Sequence, residues 1–317
     1  MNIETPAVDT SAASLPVWGT LPRRWSASAL IALGLAAAAP ASATSTYADA
    51  RASVAGANDD FHSDTGILGS QASANLVSSV GAVNVHGEAA AYVGALHVSS
   101  LARASVGTDA QANTHAQWSD AFQMVSAGHA GERGTFTAAV GVQGGLLAEI
   151  TGLSYADTYV VANFYVNTGA DGGNVSVQGG GRRTVGYDTG STSSGQESFS
   201  LYFDNLPFIF GQDIAITLRL ATTSATRTFG TSQARAEADY GHTMTWSGLS
   251  NVRDAAGNPL TNFTAISAGS GFDFANPTPV PEPGSAALLA LGLFGIGGWM
   301  RRKSHGSRTV DLPAPEA

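Results

Sequence analysis

The densest run of potential ligands in this 317-residue sequence is GANDDFHSDTG, residues 56–66. Asn58, Asp60, His62 and Asp64 recur at every second position, so an extended segment would place their side chains on one side. Oxygen donors spaced in this way suit calcium, a hard cation that prefers carboxylates and carbonyls. His62 puts an imidazole where an oxygen is wanted, and the distal bidentate glutamate of a full calcium loop is missing. Asn58, Asp60 and Asp64 are therefore candidate cation ligands within a polar extended loop, and calcium is the one cofactor the sequence brings into view. Four further carboxylates, Glu149, Asp157, Glu197 and Asp204, are candidates for the paired acids of a glycosidase, which must sit ~5–10 Å apart in a cleft. No spacing in the sequence makes such a pair.

Other catalytic signatures are missing. There is no G-x-S-x-G nucleophile turn, and no H-E-x-x-H or H-x-H pair among the seven histidines. The chain has no cysteine, which removes thiolate nucleophiles, zinc–thiolate sites and disulfides. Gly179–Gly181 leads into Arg182 and Arg183 without the Lys-Ser/Thr of a phosphate loop. The expectation is a protein that is not an enzyme.

The elements that would position these residues read as strands. From Thr46 to Ala275 the chain is rich in Gly, Ala, Ser, Thr and Val, and no long stripe of 3.6-residue period runs through it. Segments 134–142, 158–167, 174–179, 197–203 and 212–222 alternate instead. In the last, Ile214, Ile216, Leu218 and Leu220 share one face, with Ala215, Thr217 and Arg219 on the other, as on a half-buried strand. GADGG (169–173) supplies a hairpin turn, and Asp254 to Asn258 a β-turn within a final hairpin. The small residues of 70–107 would suit a helix, but valines and interior glycines favour strands. Many short strands with glycine-rich turns predict an all-β fold, an antiparallel β-sandwich of jelly-roll type. Trp118, Phe122, Phe136, Phe164, Tyr202, Phe208 and Trp246 read chiefly as core anchors; any exposed subset would make a platform for sugar rings.

Between Thr44 and Val280 there are nine arginines, no lysine and nineteen acidic residues, a net charge of −10. A nucleic-acid partner needs a clustered cationic face, so that class is excluded. Both ends of the sequence differ from this body. Arg23 and Arg24, the apolar run Ala27 to Ala39 and the small-x-small site Ala41-Ser42-Ala43 form a secretory signal, with cleavage after Ala43. Ser285 to Met300 is an uncharged run that ~20 residues would be needed to carry fully across a bilayer. Trp299 at the interface and Arg301, Arg302 and Lys303, which can snorkel, complete a single transmembrane helix. By the positive-inside rule the cations stay in the cytoplasm and the body lies outside.

Val280-Pro281-Glu282-Pro283, followed by a small-residue apolar helix and an Arg-rich end, resembles the PEP-CTERM sorting signal of bacterial proteins. The resemblance implies recognition by an exosortase, a membrane-embedded processing enzyme, with Pro281, Glu282 and Pro283 as the recognition element. It also implies transient anchoring in the inner membrane, removal of the apolar tail, and delivery to the cell surface or matrix, commonly among exopolysaccharide. Two prolines keep that element extended and outside any helix or ladder, which leaves it accessible to a membrane enzyme. Segment 233–276 is similar to the closing strands of many such surface proteins. The layout expected is therefore a signal peptide at 1–43 handled by the secretion machinery, a secreted β domain at 44–278, the sorting signal at 279–303 with its helix at 285–300, and a cytoplasmic tail at 304–317. The expected role is a non-enzymatic surface protein of the exopolysaccharide or biofilm matrix. A carbohydrate-binding module is the alternative, and a secreted glycosidase the third.

Overall fold

Alternation of inward and outward side chains runs through nearly the whole body, over longer stretches than the sequence segments mark. The structure, a computed structural model, describes residues 44–55, 59–78, 83–187 and 190–278, with backbone only for 72–78 and 241–243. Ala41, Ala43, Asn58, Pro281, Glu282, Pro283, Arg301, Arg302 and Lys303 lie outside the described residues, as do the two expected terminal helices. The strands are β1 (Ser45–Val54), β2 (Asp60–Gly66), β3 (Gly69–Ser78), β4 (Val83–Tyr92), β5 (Ala95–Ser105), β6 (Asp109–Val125) and β7 (Arg133–Thr151). They continue with β8 (Ser154–Asn167), β9 (Asn174–Gly186), β10 (Ser191–Ile209), β11 (Asp213–Thr228), β12 (Gln233–Arg253) and β13 (Thr264–Ile266). All pairings are antiparallel, and the described residues contain no helix.

Two sheets result. One has the order β2-β1-β6-β11-β8-β9, and the other β10-β7-β12-β5-β4-β3. β13 pairs with β6 through Gln123, Met124 and Val125, just beyond the stretch of β6 that β1 occupies. The expectation of an all-β antiparallel fold is met, and the inner faces of the two sheets share one core. Strands 134–142, 158–167, 174–179, 197–203 and 212–222 each fall within a longer strand, and 70–107 forms β3, β4 and β5.

The core changes character along the strands. Ala48, Ala50, Ala52, Ala89, Ala91, Ala102, Ala110, Ala112 and Ala116 fill one region. Trp118, Phe122, Phe136, Phe164, Phe208 and Trp246 fill another, as anticipated for these six, and add ring-to-ring contact to their area burial. Tyr202 departs from that expectation: its position on β10 has outward parity, and it is 59 % exposed. Phe274, from the segment after β13, enters the aromatic region, with its ring 4.3 Å from that of Phe122 and 5.4 Å from that of Trp246. The Trp246 Nε1–H donates to the Phe274 carbonyl at 2.9 Å, which closes that end of the core.

One buried carboxylate fastens the residue before β1 and the segment after β13 to the sheet. Asp120, 4 % exposed, accepts from the Thr44 hydroxyl at 2.7 Å, the Ser267 hydroxyl at 2.8 Å, the Ser270 hydroxyl at 2.6 Å and the Ala121 N–H at 2.8 Å. The last described residue, Thr278, donates its N–H to Trp246 and its hydroxyl to Gly94. Both chain exits therefore lie on the side of the β4–β5 and β6–β7 connections. The β5–β6, β7–β8, β9–β10 and β11–β12 connections lie at the opposite end.

Two expectations need correction. The segment 56–66 is not a loop over its second half, because Asp60–Gly66 pairs with β1 as strand β2. The turn at 254–258 forms, with the Asp254 N–H on the Asn258 carbonyl and Gly257 at φ +83, but it does not open a regular hairpin. Only an Arg253↔Pro259 bridge follows. The Leu260 N–H closes that bridge on the Val252 carbonyl at 2.8 Å, and the chain then crosses to the other sheet as β13.

Two tests follow from these locks. Asp120→Ala strands three hydroxyls that have lost their acceptor, so chemical denaturation is expected to show a loss of about 3 kcal/mol, and Asp120→Asn a smaller one. The Asp254 carboxyl is held below its ordinary value of 3.8, first by the Asn258 side chain and then by backbone N–H groups. A lowered folded value means that its support of the turn is complete above the ordinary value and disappears as pH falls through the lower one. A carboxyl-resolved NMR titration should accordingly place the Asp254 midpoint below 3.8.

Candidate functional site

The outer face of β8 and β9, at one margin of their sheet, brings together the most chemically varied group of side chains. Strand parity sends Tyr155, Asp157, Tyr159, Val161, Asn163 and Tyr165 of β8 outward, because Ala156, Val160, Ala162, Phe164 and Val166 are buried. The antiparallel register sets Asp157 beside Thr184, Tyr159 beside Arg182, Val161 beside Gly180 and Asn163 beside Gln178. With no side chain on the outward Gly180, between Gln178 and Arg182, this surface sinks into a trough of about 800 Å³ lined by Tyr159, Val161, Gln178 and Arg182. Glycine is required at its centre. A Cβ on Gly180 would lie 2.3 Å from the Val160 carbonyl oxygen.

A forked ion pair borders the trough. Arg182 donates Nε–H and Nη2–H to the two oxygens of Asp157, each at 2.8 Å, and the Thr184 hydroxyl adds a third bond at 2.7 Å. Asp157 is nearly buried, whereas the Arg182 side chain is 63 % exposed, so the outer edge of the guanidinium faces solvent. The hydrogen bonds and charge of Asp157 hold the guanidinium pKa above its ordinary value. The Tyr155 phenol is pushed up by burial and then by the negative charge of Asp157, while Arg182 pulls it back down.

An aromatic row leads away from the trough. The Tyr155 ring stacks on Tyr187 at 6.0 Å and 29°, and Tyr187 meets Phe229 at 6.2 Å and 38°. Tyr187 and Phe229 are 57 % and 42 % exposed. Tyr187 sits at φ +57, which is rare for a bulky residue and needs surrounding structure to hold it. Its N–H donates to the Ser154 carbonyl at 2.7 Å. Exposed rings beside a concave polar strip can stack on flat apolar surfaces and hydrogen-bond their rims.

The residues singled out in the sequence are distributed otherwise. Asp60 and His62 do meet, at 2.9 Å, but Asp64 instead accepts the Gln71 N–H at 3.0 Å. Among the described residues no three His, Asp or Glu side chains converge in a way that could hold a metal ion. Of the four carboxylates, Glu149 lies on the outer face of the other sheet and Asp157 is tied to Arg182. Asp204 accepts from Thr137, about twelve residues or ~40 Å along β7 from Glu149. Glu197 points between the sheets, paired with Arg183 across the gap from β10 to β9. The buried Tyr240 phenol lies near that pair, raised by burial and by Glu197 and lowered by Arg183. Tyr155, Tyr159, Arg182, Tyr187 and Phe229 were not singled out by sequence reasoning. The outward parity of Tyr159 and Tyr165 within TYVVANFYVN was the one available signal.

Residues 279–303 match the family model of the PEP-CTERM protein-sorting motif. That match supports a PEP-CTERM exosortase-substrate protein, and the motif implies export, recognition by exosortase in the membrane and transient anchoring there before sorting to the cell surface. No curated protein and no solved structure matches the chain.

The electrostatics of the strip can be checked by ultraviolet titration of phenolate formation. Arg182→Ala should raise the Tyr155 pKa further, because the group that lowers it is gone. Asp157→Asn should lower it, and a Tyr155→Phe control identifies the transition.

Proposed function

We propose that this chain is a non-catalytic, exosortase-sorted surface protein that associates with exopolysaccharide of the extracellular matrix through the outer face of β8 and β9. The observation that carries this reading is the row of aromatic rings, half-buried Tyr155 followed by exposed Tyr187 and Phe229, near the glycine-floored trough beside Tyr159 and Arg182. Aromatic faces stack on the apolar faces of sugar rings. Arg182 and Gln178 on the trough wall, with Asn163 beside Gln178, offer donors and acceptors. The body carries a net charge of −10 between Thr44 and Val280, which disfavours a polyanionic glycan and favours a neutral one. No catalytic step and no metal enters this reading. A glycosidase would need two carboxyls in one cleft, and Asp157, already bound by Arg182 and Thr184, has no such companion among the candidates.

Two measurements test the proposal. The secreted protein, incubated with matrix polysaccharide from its producing cells, should bind, and Tyr159→Ala and Tyr187→Ala should each weaken binding about tenfold with circular dichroism unchanged. Wild-type binding by both variants would remove the glycan reading. Mass spectrometry of the surface fraction should find chains that lack 285–300; intact tails throughout would remove the processing step.

A further inference from the structure

β9 and β10 end their sheets side by side, and among the described residues each pairs on one edge only, β9 with β8 and β10 with β7. Edges of this length are normally blunted by lysines, prolines, bulges or inward charges, because unpaired N–H and C=O groups recruit other strands. Here the blunting devices are few. The body has no lysine, β9 has no proline, and β10 stays regular from Ser191 to Phe203 before its first register shift. The side chains that β10 turns outward over Thr192 to Ser200 are Thr192, Ser194, Gln196, Ser198 and Ser200, none of them charged, and Glu197 faces inward. The opposite margin of the first sheet differs: β2 has only seven residues and bears Asp60, His62 and Asp64.

The core is also incompletely covered at this margin. Inward positions of β8 are buried, whereas those of β9, including Val175, Val177 and Val185, are half-buried, as is Phe199 on β10. A further strand on each sheet would cover that apolar surface.

We infer that this margin is a self-association surface, and that its occupant is a second copy of the chain. The argument is geometric. β9 and β10 run in opposite directions and offer regular stretches of matching length. A two-fold axis parallel to the strands therefore places β9 of each copy against β10 of the other, antiparallel in both seams. Each sheet of one copy then continues into the other sheet of its partner. Such an interface is isologous and closed, so it stops at two copies. The arginines of β9 do not oppose it, since Arg182 and Arg183 are already paired with Asp157 and Glu197.

The mature secreted protein should sediment with twice the mass of its processed chain. Val177→Lys puts an inward charge on the margin and should shift the protein to monomer, while Ser176→Lys, outward on the same strand, should leave it dimeric. The absence of cysteine permits a second readout that does not depend on either variant folding. A single nitroxide on Gln178→Cys should give a discrete intermolecular distance in pulsed electron resonance, and the same label on Asp171→Cys, in the β8–β9 turn, a longer one. A monomer at every concentration overturns the inference. So does a dimer that is unaffected by Val177→Lys and shows no distance from the Gln178→Cys label.

Discussion

A strand that is buried on one face cannot slip by a single residue without turning its entire apolar set to water. In this protein that condition holds along strands of 17, 19, 19 and 21 residues, and small side chains give little steric resistance to slippage in the alanine-lined part of the core. Register there is held by polar contacts that close in one alignment only. Ser100, Ser224 and Thr158 join hydroxyls across the interior, and Thr114 meets Thr222 at 2.7 Å. Asp120 does the same for the start of β1 and the segment after β13. The outer strip depends on the same alignment: moved by one position, β9 would turn Arg182 inward and Arg183 outward, and the fork on Asp157 would be lost.

The class of fold was legible because alternation is local. In QDIAITLRLAT the four inward residues and the three outward ones can be assigned from spacing alone, and the structure places them so. Strand lengths were not legible, because glycine within a strand reads as a turn. Gly141, Gly144 and Gly145 interrupt the pattern of β7 yet remain in the ladder. At Gly144 the reason is spatial, since a Cβ would lie 2.4 Å from the Tyr240 ring, a residue almost a hundred positions later in sequence. The aromatic strip was less legible still. Its members come from β8, the β9–β10 connection and the β11–β12 connection, and only tertiary structure brings Tyr155, Tyr187 and Phe229 into one row. The sorting motif was readable for the opposite reason, as its information is contiguous in sequence.

The exclusive use of arginine as the body's cation has a physical counterpart in the contacts made. Arg182 grips Asp157 with a fork, Arg227 does the same to Asp109, and Arg219 bonds Gln117 while lying over the Tyr165 ring at 5.9 Å. A lysine can supply neither the planar fork nor the stacking surface. Their value is also orientational. They fix side chains on a surface that is otherwise built from short hydroxyl-bearing residues.

That both chain exits lie at one end has a mechanical side. The Tyr187–Phe229 row stands at the other end, about 45 Å away along the 14 residues of β8. Tension between anything gripping the aromatic row and anything holding the body at Thr44 or Thr278 would run parallel to the strands. Ladder hydrogen bonds lie perpendicular to the strands, so such a pull loads many of them at once in shear, and none can be peeled open ahead of the rest. The same bonds pulled apart sideways would yield in sequence. The body is thus stiffest along the one direction in which its two ends could be drawn apart.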